Sequence, residues 1–235
     1  MIDLDREKLV KMIDHTELSA CAGEERIAEL CGEARRFGFY TVCVNGGHVR
    51  SAFEKLQGSG VLVCAVVGFP LGAGTSIAKA FEAREAVKNG AAEIDMTIHI
   101  GALREKKRAA VRDDIRAVVD ASAPALVKVI LETCFLTDEE IVAGCMLAVE
   151  AGARYVKTST GFAPAGASPT QVRLMRRTVG ADIGVKASGG IRNLRDVRRL
   201  IQAGASRLGL SASVAIVEEL ALEKNARPKA KDNHD

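Results

Sequence analysis

Eight short β-rich runs, each followed by a helix-length amphipathic segment, fill this chain from end to end, and that alternation restricts the fold more than any other feature. The runs lie near 12–17 (MIDHTE), 41–45 (TVCVN), 61–69 (VLVCAVVGF), 93–98 (EIDMTI), 126–132 (LVKVILE), 155–160 (YVKTST), 184–189 (GVKASG) and 207–211 (RLGLS). A strand that returns parallel to its neighbour needs a crossover, usually helical, and eight such units close a (β/α)8 TIM barrel, an α/β fold. Apolar residues at three-and-four spacing predict outer helices over 24–36, 77–88, 105–120 and 138–150. A chain of 235 residues, 48% of them hydrophobic, suits one such domain over 1–223. Residues 224–235 (KNARPKAKDNHD) lose apolar periodicity and are expected to form a disordered tail.

The ends of three helices repeat one pattern. Asn89-Gly90-Ala91, Ala151-Gly152-Ala153 and Ala203-Gly204-Ala205 each place a left-handed capping glycine just before a strand. Five residues beyond each glycine stand Asp95, Lys157 and Gly209, in strands four, six and eight. Alternate strands of a barrel supply the same interior layer, so these three positions face inward near the C-terminal mouth, where barrel active sites sit.

Lysine is rare in core strands, yet Lys128, Lys157 and Lys186 each follow a valine at a constant spacing of 29 residues. A single strand lysine can snorkel outward or pair with a carboxylate; the equal spacing places all three in register. Cations gathered in an apolar mouth are expected to have depressed pKa values, and moving a lysine from about 10.4 to near 7 takes roughly 4–5 kcal/mol. The product is a neutral amine that attacks a carbonyl, forming an iminium that draws electrons from the adjacent carbon. Asp95, flanked by Ile94 and Met96, is the candidate for proton transfer. Asp14 and Thr16, at the end of the first strand, extend the polar network or serve as turn residues.

Glycine-bearing strand exits point to an anion site. Gly161 follows strand six, Gly189 and Gly190 follow strand seven, and Gly209 with Ser211 ends strand eight. Glycine lets backbone N–H groups approach a phosphate, and exits seven and eight are where barrels often bind one, although tight turns also need glycine. No P-loop or dinucleotide glycine motif supports a nucleotide.

Composition narrows the partner. Thirty-three basic against 30 acidic residues leave a net charge of +3, too even for nucleic acid or an anionic membrane, and 4% aromatics give no base-stacking platform. The charged opening MIDLDREK and the absence of any long apolar run predict a soluble, cytoplasmic protein acting on a small molecule. The six cysteines are spread without a C-x-x-C pair and are read as buried thiols. The four histidines are equally dispersed, so no metal site is expected.

The motifs EIDM, VKVILETC, YVKTSTGF, GVKASGGIR and VVGFPLGAGTS, in this order of chemistry over about 14–219, resemble the deoxyribose-phosphate aldolase family. The resemblance implies Lys157 as the Schiff-base nucleophile, with Asp95 and Lys186 handling protons; spacing alone leaves Lys128 and Lys186 open as nucleophiles. It further implies cofactor-free, reversible cleavage of 2-deoxy-D-ribose 5-phosphate to D-glyceraldehyde 3-phosphate and acetaldehyde by a homodimer or larger homo-oligomer. Lys128, Asp14 and Thr16 join the glycine exits and Ser211 as candidate substrate-binding residues. Departures from the family pattern are Glu17, Gly46, His99, the segment 163–165, and Leu210 and Ala212, where hydroxyl residues are more usual. They predict fewer phosphate donors. Other readings are a related lysine-dependent lyase or transferase on a different sugar phosphate or aldehyde, and a non-catalytic sugar-phosphate-binding barrel.

Overall fold

The computed structural model describes residues 4–226. Its elements run α1 (Arg6–Val10), β1 (Ile13–Glu17), α2 (Glu24–Phe37), β2 (Thr41–Val44), α3 (Val49–Lys55), β3 (Leu62–Val67), α4 (Ser76–Lys88), β4 (Glu93–Thr97), α5 (Ile100–Arg104), α6 (Arg108–Ser122), β5 (Leu126–Ile130), α7 (Asp138–Glu150), β6 (Tyr155–Lys157), α8 (Pro169–Val179), β7 (Gly184–Ser188), α9 (Leu194–Gln202), β8 (Arg207–Leu210) and α10 (Ser213–Ala226). Each strand pairs in parallel with its sequence neighbour, and β1 also pairs with β8, which closes the barrel. All eight expected strands are present.

Period-two alternation separates two interiors. Val42, Val63, Ile94, Met96, Val127, Val129, Val156, Val185 and Leu208 face outward and are buried against the helices in one continuous apolar core. Each such side chain contributes about 1.5–3 kcal/mol of burial. Between them Cys64, Asp95, Lys128, Lys157 and Lys186 face inward. A second, smaller apolar cluster of Leu18, Cys43, Cys64 and Val66 fills the inside of the barrel beside β1 to β3. The charged residues occupy the other side.

Local signals fix the helix limits. Thr137 forms a capping box with Glu140, so α7 begins at Asp138 as its pattern predicts. The helix expected over 105–120 instead starts at Arg108. A short helix, α5, ends at Arg104, and Lys106 takes a left-handed φ of 59° before α6 begins. At the other end α10 reaches Ala226, so 224–226 are helical; the rest of the expected tail lies outside the described residues. Cys31, Cys43, Cys64 and Cys145 are buried, but Cys21 is exposed and Cys134 half-buried, because both lie in loops after strands rather than in the packed layers. No helix among the described residues is long and apolar enough to cross a membrane.

The three repeated helix ends are Schellman motifs. Gly90, Gly152 and Gly204 have φ of 107°, 94° and 109°. Their N–H groups, and those of the following alanines, donate back to the last turn, as Gly90 to Val87 and Ala91 to Ala86. Gly152→Ala is expected to cost about 1–2 kcal/mol from left-handed strain alone. Gly90→Ala is expected to cost more, since its methyl would stand 2.3 Å from the Phe53 ring. Urea unfolding of both variants checks this ranking, and equal losses would contradict it.

Candidate active site

Inward residues of four strands converge on one buried carboxylate, Asp95 of β4. Asp95 accepts at Oδ1 from Lys128 Nζ (2.8 Å) and the Cys64 thiol (3.2 Å), and at Oδ2 from Lys157 Nζ (2.7 Å) and Lys186 Nζ (2.7 Å). Lys186 also donates to Asp14. Below them Lys128 approaches Glu93 at 2.6 Å, and Arg207 bridges Asp14 (2.8 Å) and Glu93 (3.1 Å). The Arg207 guanidinium lies 4.0 Å from the Tyr40 ring centroid and 5.3 Å from that of Tyr155. Four cations therefore face three carboxylates.

Strand stagger sets their heights. Lys157 pairs with Lys186 across β6 and β7, whereas Lys128 pairs with Tyr155, two residues deeper than Lys157. The equal spacing of 29 thus does not put the three lysines in register, because β5 is shifted along the barrel relative to β6. Only Lys157 lines the open cleft above the network. Lys128, Asp14, Asp95 and Lys186 are fully buried beneath it.

The electrostatics reverse the sequence expectation. Burial opposes the charge on Lys128 and Lys186, but Asp95 and Asp14 outweigh it and hold both above the ordinary lysine range. Burial would likewise raise the carboxyls of Asp14 and Asp95, and the surrounding lysines, with Arg207 at Asp14, pull both below their usual values. Like-charge repulsion does not govern the cluster, because its ammonium groups are interleaved with carboxylates from β1 and β4.

A cleft of about 420 Å³ opens at the C-terminal mouth, lined by Thr16, Lys157, Gly161, Gly189, Gly190, Gly209 and Ser211 together with Glu17, Thr160 and Ser188. Lys128 and Asp14, expected to bind substrate, belong to its foundation instead. Gly161, Gly189 and Gly190 have φ of 90°, 85° and 73°. Gly209 is glycine for another reason: a Cβ there would stand 3.0 Å from Lys186 Cε and 2.9 Å from Ser188 Cβ. Leu210 is buried in the outer core, so its lack of a hydroxyl removes no donor from the cleft. The Glu17 carboxylate is tied to Arg26 (3.0 Å) and the Ser19 N–H (2.9 Å). His99 caps α5 by accepting from the Ala102 N–H at 3.2 Å.

Sequence reasoning missed Glu93, Arg207, Cys64 and Glu132. Glu93 and Arg207 stand two residues before Asp95 and Gly209, in the same pleat phase, which is the signal that reveals them. Cys43, Cys64 and Asp95, and likewise Asp14, Cys64 and Glu93, offer donor atoms within 4.8 Å of one another, as metal ligands would. Lys128 supplies positive charge to the second group and touches Cys64 and Asp95 of the first.

An amine paired with a carboxylate at the mouth of an eight-stranded parallel barrel is the arrangement of a carbonyl-capturing barrel enzyme. The chain belongs to the DeoC/LacD family of aldolases, whose model matches residues 8–216. A Lysinibacillus sphaericus protein named deoxyribose-phosphate aldolase is 54% identical over 220 residues, spanning 93% of this chain and 99% of its own length. One of the same name from a Geobacillus species is 57% identical over 211 residues, 89% of this chain and 95% of that protein. The tetrameric deoxyribose phosphate aldolase of Aeropyrum pernix superposes with a TM-score of 0.87 at 33% identity, covering 92% of each chain.

The shifted groups predict a pH window for stability. With depressed native values, Asp14 and Asp95 stabilise the fold above their unfolded pKa of about 3.9 and lose that contribution as pH falls through the native values. With raised native values, Lys128 and Lys186 stabilise fully below about 10.4 and lose it as pH climbs through the native values. Thermal unfolding followed by circular dichroism is expected to hold a plateau from about pH 5 to 9. A fall in Tm between neutral pH and about 9 would mean lysines that surrender their protons early, contrary to this network.

Proposed function

We propose that this chain reversibly cleaves 2-deoxy-D-ribose 5-phosphate into D-glyceraldehyde 3-phosphate and acetaldehyde, with Lys157 as the covalent nucleophile. The observation that carries the assignment is that Lys157, alone of the three strand lysines, lines the cleft while bonding Asp95 at 2.7 Å. The more deeply set Lys128 and Lys186 hold their protons, which leaves Lys157 as the amine that meets the substrate. The free amine adds to the C1 carbonyl to give a carbinolamine, which loses water to form an iminium. Lys186 donates the proton that departs with water, and Asp95 faces the new cation.

Breaking the bond between C2 and C3 sends its electron pair into the iminium as the 3-hydroxyl passes its proton to Lys186, left neutral by the dehydration, releasing the aldehyde phosphate and leaving an enamine. Protonation of the enamine carbon and addition of water free acetaldehyde and restore Lys157. The N–H groups of Gly161, Gly189 and Gly190, with the Ser211 hydroxyl and Gly209 giving room beside it, receive the phosphate, and Thr16 contacts the sugar. The family relationship and the glycine-lined end of the cleft support this reading.

The protein acts in the cytoplasm on diffusible small molecules and assembles with copies of itself. The reduced state of its six cysteines suits that compartment, and exposed Leu71, Ile77 and Phe81 offer apolar area for self-association.

Lys157→Ala is expected to lower cleavage by roughly 10⁴-fold or more while the circular dichroism spectrum stays that of the folded barrel. Wild-type turnover in the folded variant would refute the assignment. Deoxyribose without its phosphate is expected to react with kcat/KM about 10²-fold lower, the scale of one or two charge-assisted hydrogen bonds. Equal rates on both sugars would favour an unphosphorylated substrate.

A further inference from the structure

Glu132 follows β5 at the barrel mouth and combines two unfavourable features. It is a non-glycine residue in the left-handed region, with φ 56° and ψ 63°. Its side chain is only 2% exposed, and no ion pair engages it among the described residues. A strained backbone and a buried acid without a counter-ion persist together only where the surroundings require them, and such residues cluster at functional sites.

Among the described residues, the hydrogen bonds of that carboxylate all come from one residue. Thr160 donates its N–H to Oε1 (3.2 Å) and Oε2 (3.3 Å), and its hydroxyl to Oε2. The same hydroxyl accepts from the Phe162 N–H at 3.0 Å. The turn 160–162 is thereby fastened at both ends. Between them stands Gly161, whose N–H has no internal hydrogen bond among the described residues. Thr160 and Gly161 line the cleft that holds Lys157; Glu132 does not, and sits behind Thr160.

We infer that Glu132 is a positioning residue for the anion end of the cleft, holding Thr160 so that the Gly161 N–H is set for the substrate's phosphate. This rests on the reading of Gly161 as a phosphate ligand. Glu132 touches neither the reacting carbon nor Lys157. Its effect falls on binding of the phosphorylated substrate and leaves the Schiff-base step largely alone. Glutamine in its place keeps the volume but removes the charge and one of the two acceptor oxygens, so the fastening of Thr160 is weakened.

The test uses the full chain and compares 2-deoxyribose 5-phosphate with 2-deoxyribose in wild type, Glu132→Gln and Glu132→Gly. Glu132→Gln is expected to raise KM for the phosphorylated sugar about tenfold, with kcat and the kcat/KM for the unphosphorylated sugar changed by less than about twofold. Glu132→Gly is expected to raise KM at least as far without lowering Tm, because glycine accepts the left-handed backbone. Should the glycine variant fail to fold, Glu132→Gln decides. Wild-type KM for the phosphate in the folded variants, or equal losses on both sugars, would overturn the inference while leaving the phosphate site intact. A wild-type protein that itself shows no preference for the phosphorylated sugar would instead overturn the Gly161 reading on which it rests.

Discussion

The structure depends on the Asp95 carboxylate, which receives ammonium groups from three different strands at 2.7–2.8 Å inside the barrel. Charges taken out of water cost several kcal/mol each, and breaking a buried pair by removing one partner costs about 3–5 kcal/mol. The network is tolerable because every member has an opposite neighbour. Asp14 and Glu93 hold Lys186 and Lys128 from the far side, and Arg207 ties those two carboxylates together against Tyr40 and Tyr155. The apolar outer faces of the same strands offset what desolvation remains.

Stagger between strands turns this cluster into a graded device. Arg207, Glu93 and Lys128 set fixed charge; Lys157 and Lys186 are paired across adjacent strands, Lys157 lining the cleft and Lys186 buried beneath it. Lys157 stands at the boundary between a buried ionic network and an open cleft, with Asp95 and Lys186 beneath it. The glycine-rich exits of β6 and β7, the strands that carry Lys157 and Lys186, line one end of the same cleft.

The barrel was legible because its signals are local and periodic. Eight apolar runs mark the strands, and Gly90, Gly152 and Gly204 mark helix ends with the geometry that their position demands. The phase counted from those glycines places Asp95 and Lys157 in direct contact. The depth of Lys128 was not legible, since equal sequence spacing carries no information about the shift of β5 against β6. The charge state of the lysines was hidden for a related reason: Asp14, Glu93 and Arg207 come from strands distant in sequence and meet only on closure. Leu210 looked like a lost phosphate ligand from the family pattern alone, although the inward phase of Gly209 already turns its neighbour toward the helices, where it is buried. Glu132 gave no periodic signal; its backbone conformation and its bonds to Thr160 are tertiary facts.

The account stands on covalent capture of an aldehyde by the amine at position 157. The most direct measurement is incubation with acetaldehyde, reduction with borohydride and peptide mapping by mass spectrometry. A reduced adduct on the peptide carrying Lys157, and none on those carrying Lys128 or Lys186, is the predicted result. An adduct on either of the deeper lysines, or none at all under turnover, would contradict it.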